Sequence, residues 1–375
     1  MAGLYIHIPF CRKACIYCDF HFSTSLKFQA RMVNALVEEL KLQKKFTEGE
    51  KMENLYFGGG TPSVLTADQL DQLTETAFEI FEWEPHPEVT LEANPDDLTR
   101  SKLTQLAESK INRLSIGIQS FRDEDLQLMN RSHNAAQAVH SIKLAQDKGF
   151  TNITLDLIYG MPGMNDEVWE QQVEQAIALG VPHISSYALT VEPHTVLHHK
   201  IEKGDMPEPD EDQAARQFEI LWKRLQKAGF EHYEVSNFAK PAYRARHNSS
   251  YWKGVPYLGV GPSAHSFHKN KRFWNISNNM LYMQAVENGN MARESEVLLK
   301  KDHFNEHIMT QLRTQEGIHL EELATLFSTD YQDYLMKEAE PLLKKAQLNI
   351  LDRRLYIPQE WRFHTDGIAA SLFYI

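Results

Sequence analysis

Cys11, Cys15 and Cys18 are the only cysteines of the chain, and they fall in one short stretch, Cys11-Arg-Lys-Ala-Cys15-Ile-Tyr-Cys18. A disulfide framework needs an even number of cysteines spread along the sequence, so these read as reduced thiolates used as metal ligands in a cytosolic setting. Three thiolates on one loop each reach a different iron of a cubane [4Fe–4S] cluster and leave the fourth iron without a protein ligand. Zinc is the competing occupant; it takes four closed ligands or keeps a water position, and His7 or His21 would complete such a set. Buried structural thiols are the plainer alternative.

An open iron suits a chelating cofactor such as S-adenosylmethionine (SAM), and further residues fit one. Tyr56-Phe-Gly-Gly-Gly-Thr-Pro62 ends a strand-like run. Its glycines permit positive φ and close backbone approach, so carbonyls there can meet the amino group of SAM; an ordinary strand-to-helix turn is the alternative. Glu92, Gln119 and Asp156 stand at or just after strand-like runs, with Arg131 further along. Glu92 or Asp156 can accept from ribose hydroxyls, Gln119 can bond a hydroxyl or carboxylate, and the planar fork of Arg131 matches the methionyl carboxylate. Singly, each is more often a cap or turn residue. On successive strands they point to one site.

A separate signal is His247-Asn-Ser-Ser-Tyr-Trp252, followed by Tyr257 to Phe267. A histidine beside Tyr and Trp can ligate haem iron while the aromatics pack on the macrocycle, and Arg244 and Arg246 can meet propionates. In a chain with 17 histidines, a surface histidine beside a packed aromatic pair is the competing reading.

These residues need a scaffold that gathers strand ends. Short apolar runs at Leu4–Ile8, Asn54–Phe57, Glu88–Glu92, Arg113–Ile118, Ile153–Tyr159 and His183–Leu189 read as strands. Helical patterns at Arg31–Lys45, Thr66–Phe81, Ala135–Lys148 and Glu167–Leu179 lie between them, the second capped by Thr66 with Asp68 in its first turn. This alternation predicts an α/β fold, a partial (β/α)6 barrel with an open doubly wound sheet as the alternative. After a helix over Gln213–Gly229, the segment Tyr233–Phe267 reads as an extended functional stretch rather than another repeat. A soft boundary near Glu294 divides residues 1–293 from a C-terminal helical, winged-helix-like domain over 294–375. There, helices at Asp302–Leu312, Leu320–Phe327 and Gln332–Ala346 precede a hairpin at Leu348–Ile357.

The net charge of -12 over 375 residues argues against bulk nucleic-acid binding, which needs a basic footprint, but not against a local basic pocket. The N-terminus lacks the basic and apolar regions of a signal peptide. No uninterrupted apolar run approaches the roughly 20 residues of a membrane span. The expectation is a soluble cytoplasmic protein for which peripheral membrane contact stays open. Nothing in the sequence speaks to oligomeric state.

Taken together, the motifs resemble the radical SAM family of oxygen-independent coproporphyrinogen III oxidases, most closely its HemW (haem chaperone) branch. The resemblance covers nearly the whole chain. It is carried by Tyr5-Ile-His-Ile-Pro-Phe-Cys11, Cys15-Ile-Tyr-Cys18-Asp-Phe20, Gly58-Gly-Gly-Thr-Pro-Ser63, Leu91-Glu-Ala-Asn-Pro95, Ser115-Ile-Gly-Ile-Gln-Ser-Phe121, Asp156-Leu-Ile-Tyr-Gly-Met-Pro162, His247 to Trp252 and Leu258 to Phe267. It implies Cys11, Cys15 and Cys18 as cluster ligands. It implies Tyr5, Tyr17, Gly60, Thr61, Glu92, Gln119, Arg131, Asp156 and Ala188 as SAM contacts, and His247 as the haem ligand of an HNxxYW motif. The implied partners are haem or a porphyrin and haem-accepting proteins.

Two departures separate the chain from the oxidases proper. They carry CxxxCxxCxC, where this chain has Phe20, and a substantial segment ahead of the cysteines, where here the first strand begins almost at the initiator Met. Both point away from decarboxylation of porphyrinogen propionates. Haem binding and delivery is the leading expectation. Coproporphyrinogen oxidation and another radical SAM chemistry of the same architecture, such as methyl transfer, are the alternatives.

Overall fold

The computed structural model describes residues 1–47 and 49–375. Six strands, β1 (Ala2–Ile8), β2 (Met52–Gly59), β3 (Trp83–Ala93), β4 (Arg113–Gln119), β5 (Ile153–Tyr159) and β6 (His183–Ala188), pair in parallel in chain order. Parallel neighbours need crossovers, and helices supply them: α1 (Gln29–Leu42), α2 (Ala67–Ile80), α3 (Arg100–Glu108), α4 (Asp123–Leu128), α5 (Ala135–Asp147) and α6 (Asp166–Ala178). Beyond β6 come α7 (Val196–Glu202) and α8 (Glu211–Lys227). Helix starts follow from capping chemistry. Thr66 and Gln69 close a reciprocal capping box on α2, as do Asn134 and Gln137 on α5, which satisfies amide groups that have no intrahelical partner. Large apolar residues alternate along the strands, as at Leu4, Ile6 and Ile8 on β1 and Leu114, Ile116 and Ile118 on β4, all fully buried.

β1 and β6 do not pair, so the six-unit barrel is open along one side. The segment read as an extended functional stretch, Tyr233–Phe267, is ordered into short elements that extend both edges. On the β6 side lie β8 (Asn237–Ala239) and β7 (Glu231–Glu234), both antiparallel. The chain then forms α9 (Arg246–Trp252), which packs on β1 and β2, and returns as β9 (Tyr257–Val260), parallel to β1. Strands β10 (His265–His268), β11 (Lys271–Asn275) and β12 (Arg293–Val297), with α10 (Asn279–Glu287) between the last two, complete a 12-stranded sheet.

Residues 304–372 build a second hydrophobic core, separate from the barrel core. It gathers α11 (Lys300–Leu312), α12 (Leu320–Phe327), α13 (Thr329–Lys344), α14 (Thr365–Ala370) and a small sheet of β13 (Ile318–His319), β15 (Arg354–Tyr356) and β14 (Asn349–Leu351). Glu294, where the sequence placed a boundary, lies inside β12. No described helix is long and apolar enough to cross a membrane.

Candidate functional site

The cysteine loop leaves β1 and is pinned by backbone bonds on every side. Cys11 N donates to Ser23 O at 3.1 Å, Ile16 N to Met129 O at 3.2 Å, and Leu197 N to Ile16 O at 2.8 Å. Asn130 Nδ2 holds Ala14 O at 2.8 Å, and Arg12 Nε bonds buried Asp97 at 2.7 Å. The glycine run explains the close fit behind the loop. Gly59 has φ +107° and a Cβ there would strike the His7 ring at 2.6 Å; one at Gly60 would strike Phe10 O at the same distance. The glycines therefore first serve to let β2 end against β1.

Cys11, Cys15 and Cys18 line one cavity of about 430 Å³ with Tyr17, Gly60, Thr61, Glu92, Gln119, Arg131, Asp156 and Ala188. Eight of the nine expected SAM contacts thus converge where the parallel strands end, the usual place for a ligand in such folds. Tyr5 does not join them: it lines a neighbouring cavity. Gln119 has φ +69°, an uncommon conformation outside glycine, beside a register irregularity in β4. That local strain turns the strand end toward the cavity.

The donor set fits an iron–sulfur cluster. Among the described residues the three sulfurs do not fall within the 4.8 Å mutual spacing of a single-ion site. His7 and His21, the residues that would complete a zinc set, line the other cavity. His7 is committed through both ring nitrogens, to Tyr5 Oη at 3.1 Å and His21 O at 2.9 Å. Thr61 Oγ1 donates to Cys11 Sγ at 3.3 Å, and Arg131 Nη1 to Cys15 Sγ at 3.4 Å. Burial, with neighbouring thiols adding to it, pushes Cys11 up to about 11 and Cys18 up to about 12, so their thiolates need a cation among them.

The remaining walls fit a zwitterionic nucleoside. Arg131 Nη2 donates to Asn94 Oδ1 and Gly117 O, each at 2.7 Å, and its Nε is buried without a partner. Burial pushes Glu92 up to about 7, against the lowering effect of the Tyr56 hydroxyl, which donates to it at 2.7 Å. Burial also pushes Asp156 up to about 6, and Ser115 Oγ donates to it at 3.4 Å. Sequence reasoning missed Asn94 as the acceptor that fixes Arg131. Its signal was available two residues beyond Glu92, in Leu91-Glu-Ala-Asn-Pro95.

A second cavity of about 690 Å³ lies beside the first and shares Asp19, Phe20, Gly59 and Glu92 with it. Its lining includes Tyr5, His7, His21, His247, Tyr251, Tyr257, His265 and Arg272. His247 is partly buried on α9, with its ring stacked on Tyr56 at 4.6 Å and more distantly on Tyr5 at 6.1 Å. Its Nδ1 bonds Asn54 Oδ1 at 2.7 Å. Burial, then the charge of Arg113, pushes it down to about 4, so the ring is neutral at physiological pH and keeps a lone pair. Arg244 and Arg246 do not line this cavity: Arg244 pairs with Glu231 and Glu316, and Arg246 Nη1 bonds His86 O. Phe20 is 66% exposed at the junction of the two cavities. No residue beyond Arg272 lines either one.

Comparison with known proteins agrees with this geometry. Residues 5–176 match the family model of the radical SAM superfamily, and residues 298–363 match that of the HemN C-terminal domain. The chain is 35% identical over 344 residues to the haem chaperone HemW of Lactococcus lactis, covering 92% of this chain and 90% of that one. It is 32% identical over 375 residues to the haem chaperone HemW of Mycobacterium tuberculosis, covering 99% and 94%. Among solved structures, the coproporphyrinogen III oxidase HemN of Escherichia coli superposes with a TM-score of 0.85 at 23% identity, over 99% of this chain and 90% of that one.

Proposed function

The chain belongs to the radical SAM superfamily and, within it, to the HemW family, and on that footing we propose that it binds haem at His247 and delivers it to recipient proteins. The observation that carries the reading is the second cavity. A neutral histidine with one nitrogen engaged sits among stacked aromatic rings, beside but not within the cysteine cavity. Haem needs an imidazole lone pair and flat apolar surface, and this cavity offers both.

In the first cavity Cys11, Cys15 and Cys18 would hold a [4Fe–4S] cluster, and Glu92, Gln119, Asp156 and Ala188 would line the space for SAM. When bound, the cluster supplies one-electron reduction to SAM. The chain's own residues would position SAM: Arg131, fixed by Asn94, would pair with the methionyl carboxylate, and the Glu92 and Asp156 carboxylates would accept from the ribose hydroxyls. Tyr17, Gly60 and Thr61 close the wall nearest the cysteines. Tyr5 stacks on Tyr56, whose hydroxyl donates to Glu92. Three reduced thiol ligands, Cys11 buried and Cys15 and Cys18 half-buried, suit a reducing cytoplasm. The barrel and its extension carry all the chemistry, and the C-terminal helical unit is left for other contacts.

The test is transfer. Haem-loaded, cluster-reconstituted protein is mixed anaerobically with the haem-free form of a b-type cytochrome, and the acceptor's absorption bands are followed. Transfer from wild type but not from a His247→Ala preparation supports delivery. Conversion of coproporphyrinogen III to protoporphyrinogen above a Cys15→Ser blank would replace delivery by the oxidase reading.

A further inference from the structure

His247 follows Asn54 by 193 residues and Glu88 by 159, yet these two strand residues meet it from one rung of the barrel. Asn54 on β2 and Glu88 on β3 are register partners. Asn54 Oδ1 lies 2.7 Å from His247 Nδ1. Glu88 accepts from the backbone N–H of His247 at 3.3 Å and from that of Arg246 at 3.0 and 3.2 Å. Both are deeply buried, Asn54 at 0% and Glu88 at 6% exposure, and Arg113 Nε stands 3.8 Å from the Glu88 carboxylate. The rung continues onto β1, where the register partner of Asn54 is Gly3. A Cβ at Gly3 would come within 2.9 Å of Asn54 Oδ1, so the glycine leaves room for the carboxamide.

We propose that Asn54 and Glu88 are positioning residues for haem: Asn54 fixes the His247 ring with Nδ1 protonated and Nε2 free for iron, and Glu88 anchors the helix that presents it. This rests on the haem reading of His247. A carboxamide oxygen only accepts, so the hydrogen between the two groups belongs to Nδ1, and the lone pair is left on Nε2. Nε2 makes no hydrogen bond to any described residue. An acceptor on the far nitrogen of a metal-bound histidine fixes its tautomer and raises its basicity. The cost argues for a use as well. Asn54 Nδ2 is buried without a partner, a penalty that an apolar residue would avoid.

The test uses full-length, cluster-reconstituted protein titrated with haem, with three readouts: the Soret change for affinity, the ferrous iron–histidine stretch by resonance Raman, and the midpoint potential. Asn54→Leu is expected to weaken haem binding on the order of 10–100-fold with cluster iron unchanged. Should that variant misfold, Asn54→Asp carries the test. A carboxylate acceptor strengthens the bond to Nδ1–H, so the stretch should rise and the potential fall. Glu88→Ala should broaden the Soret band and weaken binding, and Glu88→Gln should restore part of it. Wild-type affinity, stretch and potential in both Asn54 variants would overturn the proposal, provided His247→Ala still loses haem. Undiminished haem binding by His247→Ala would instead overturn the haem reading beneath it.

Discussion

The two cavities share a wall and are built by different rules. The cysteine cavity is made by strand ends and one tethered loop, and its polar groups come from successive βα units: Glu92 from β3, Gln119 from β4, Asp156 from β5. The His247 cavity is made where the barrel stays open, from α9, β9, β10 and the inward face of β1 and β2. In the first, charged groups are held by neighbours on adjacent strands. In the second, a neutral ring is held by residues far away in the chain. One barrel thus carries a polar mouth at its strand ends and an aromatic opening beside it.

That division fails or sharpens under substitution. The largest effect is expected for Cys15→Ser, which should drop cluster iron and its visible absorption to near background while haem binding persists. Next comes His247→Ala, expected to weaken haem by about 100-fold or more with cluster iron intact. Loss of both signals in either variant would show that the cavities are one site. Arg131→Met removes donors to Asn94, Gly117 and Cys15. With hydrogen bonds to a charged group at about 1.5–3 kcal/mol, SAM affinity should fall by roughly 10–100-fold, measured by equilibrium dialysis, and haem affinity should not move.

A smaller effect concerns pH. Burial raises Glu92 to about 7 from an ordinary value near 4.5. The folded apoprotein therefore binds this proton more tightly than the unfolded chain. Its contribution to stability is full below pH about 4.5 and is lost as pH rises through about 7. Glu92→Gln should remove that slope, worth on the order of 2 kcal/mol, in denaturant melts of the apoprotein at pH 5.5 and 8. An unchanged slope would place Glu92 in solvent rather than in the shared wall. The smallest effect is Thr66→Ala, which breaks the α2 capping box. It should cost about 1 kcal/mol in a thermal melt and leave both ligands' affinities alone, separating stability from site.

Legibility in the sequence followed the same division. β5 stands where the sequence placed it, because Ile-Thr-Leu-Asp-Leu-Ile-Tyr is a β-prone run buried at every position but Asp156. Thr66 and the α12 bounds were equally plain, from cap chemistry and a strong apolar stripe. Helix α3 was missed because only Leu103 and Leu106 of Arg100–Glu108 are buried, too few for a visible period. Strand β12 was missed because Arg-Glu-Ser-Glu-Val lies exposed at a sheet edge and has no apolar face. The cysteine cavity was readable since each of its residues closes its own strand or loop. The cavity that Tyr5 lines was not readable, because a strand's alternation shows that a side chain points inward, not which of two inward spaces it meets. Asn54 and Glu88 were silent: each is one polar residue near a strand start, and their partner lies 193 and 159 residues away.

The most direct test of separate occupancy is an anaerobic haem titration of reconstituted wild type, Cys15→Ser and His247→Ala, with iron, sulfide and haem quantified on the same samples. The account predicts that wild type carries both groups, Cys15→Ser carries haem without cluster, and His247→Ala carries cluster without haem. Stoichiometric haem on His247→Ala with an unchanged Soret band would contradict it.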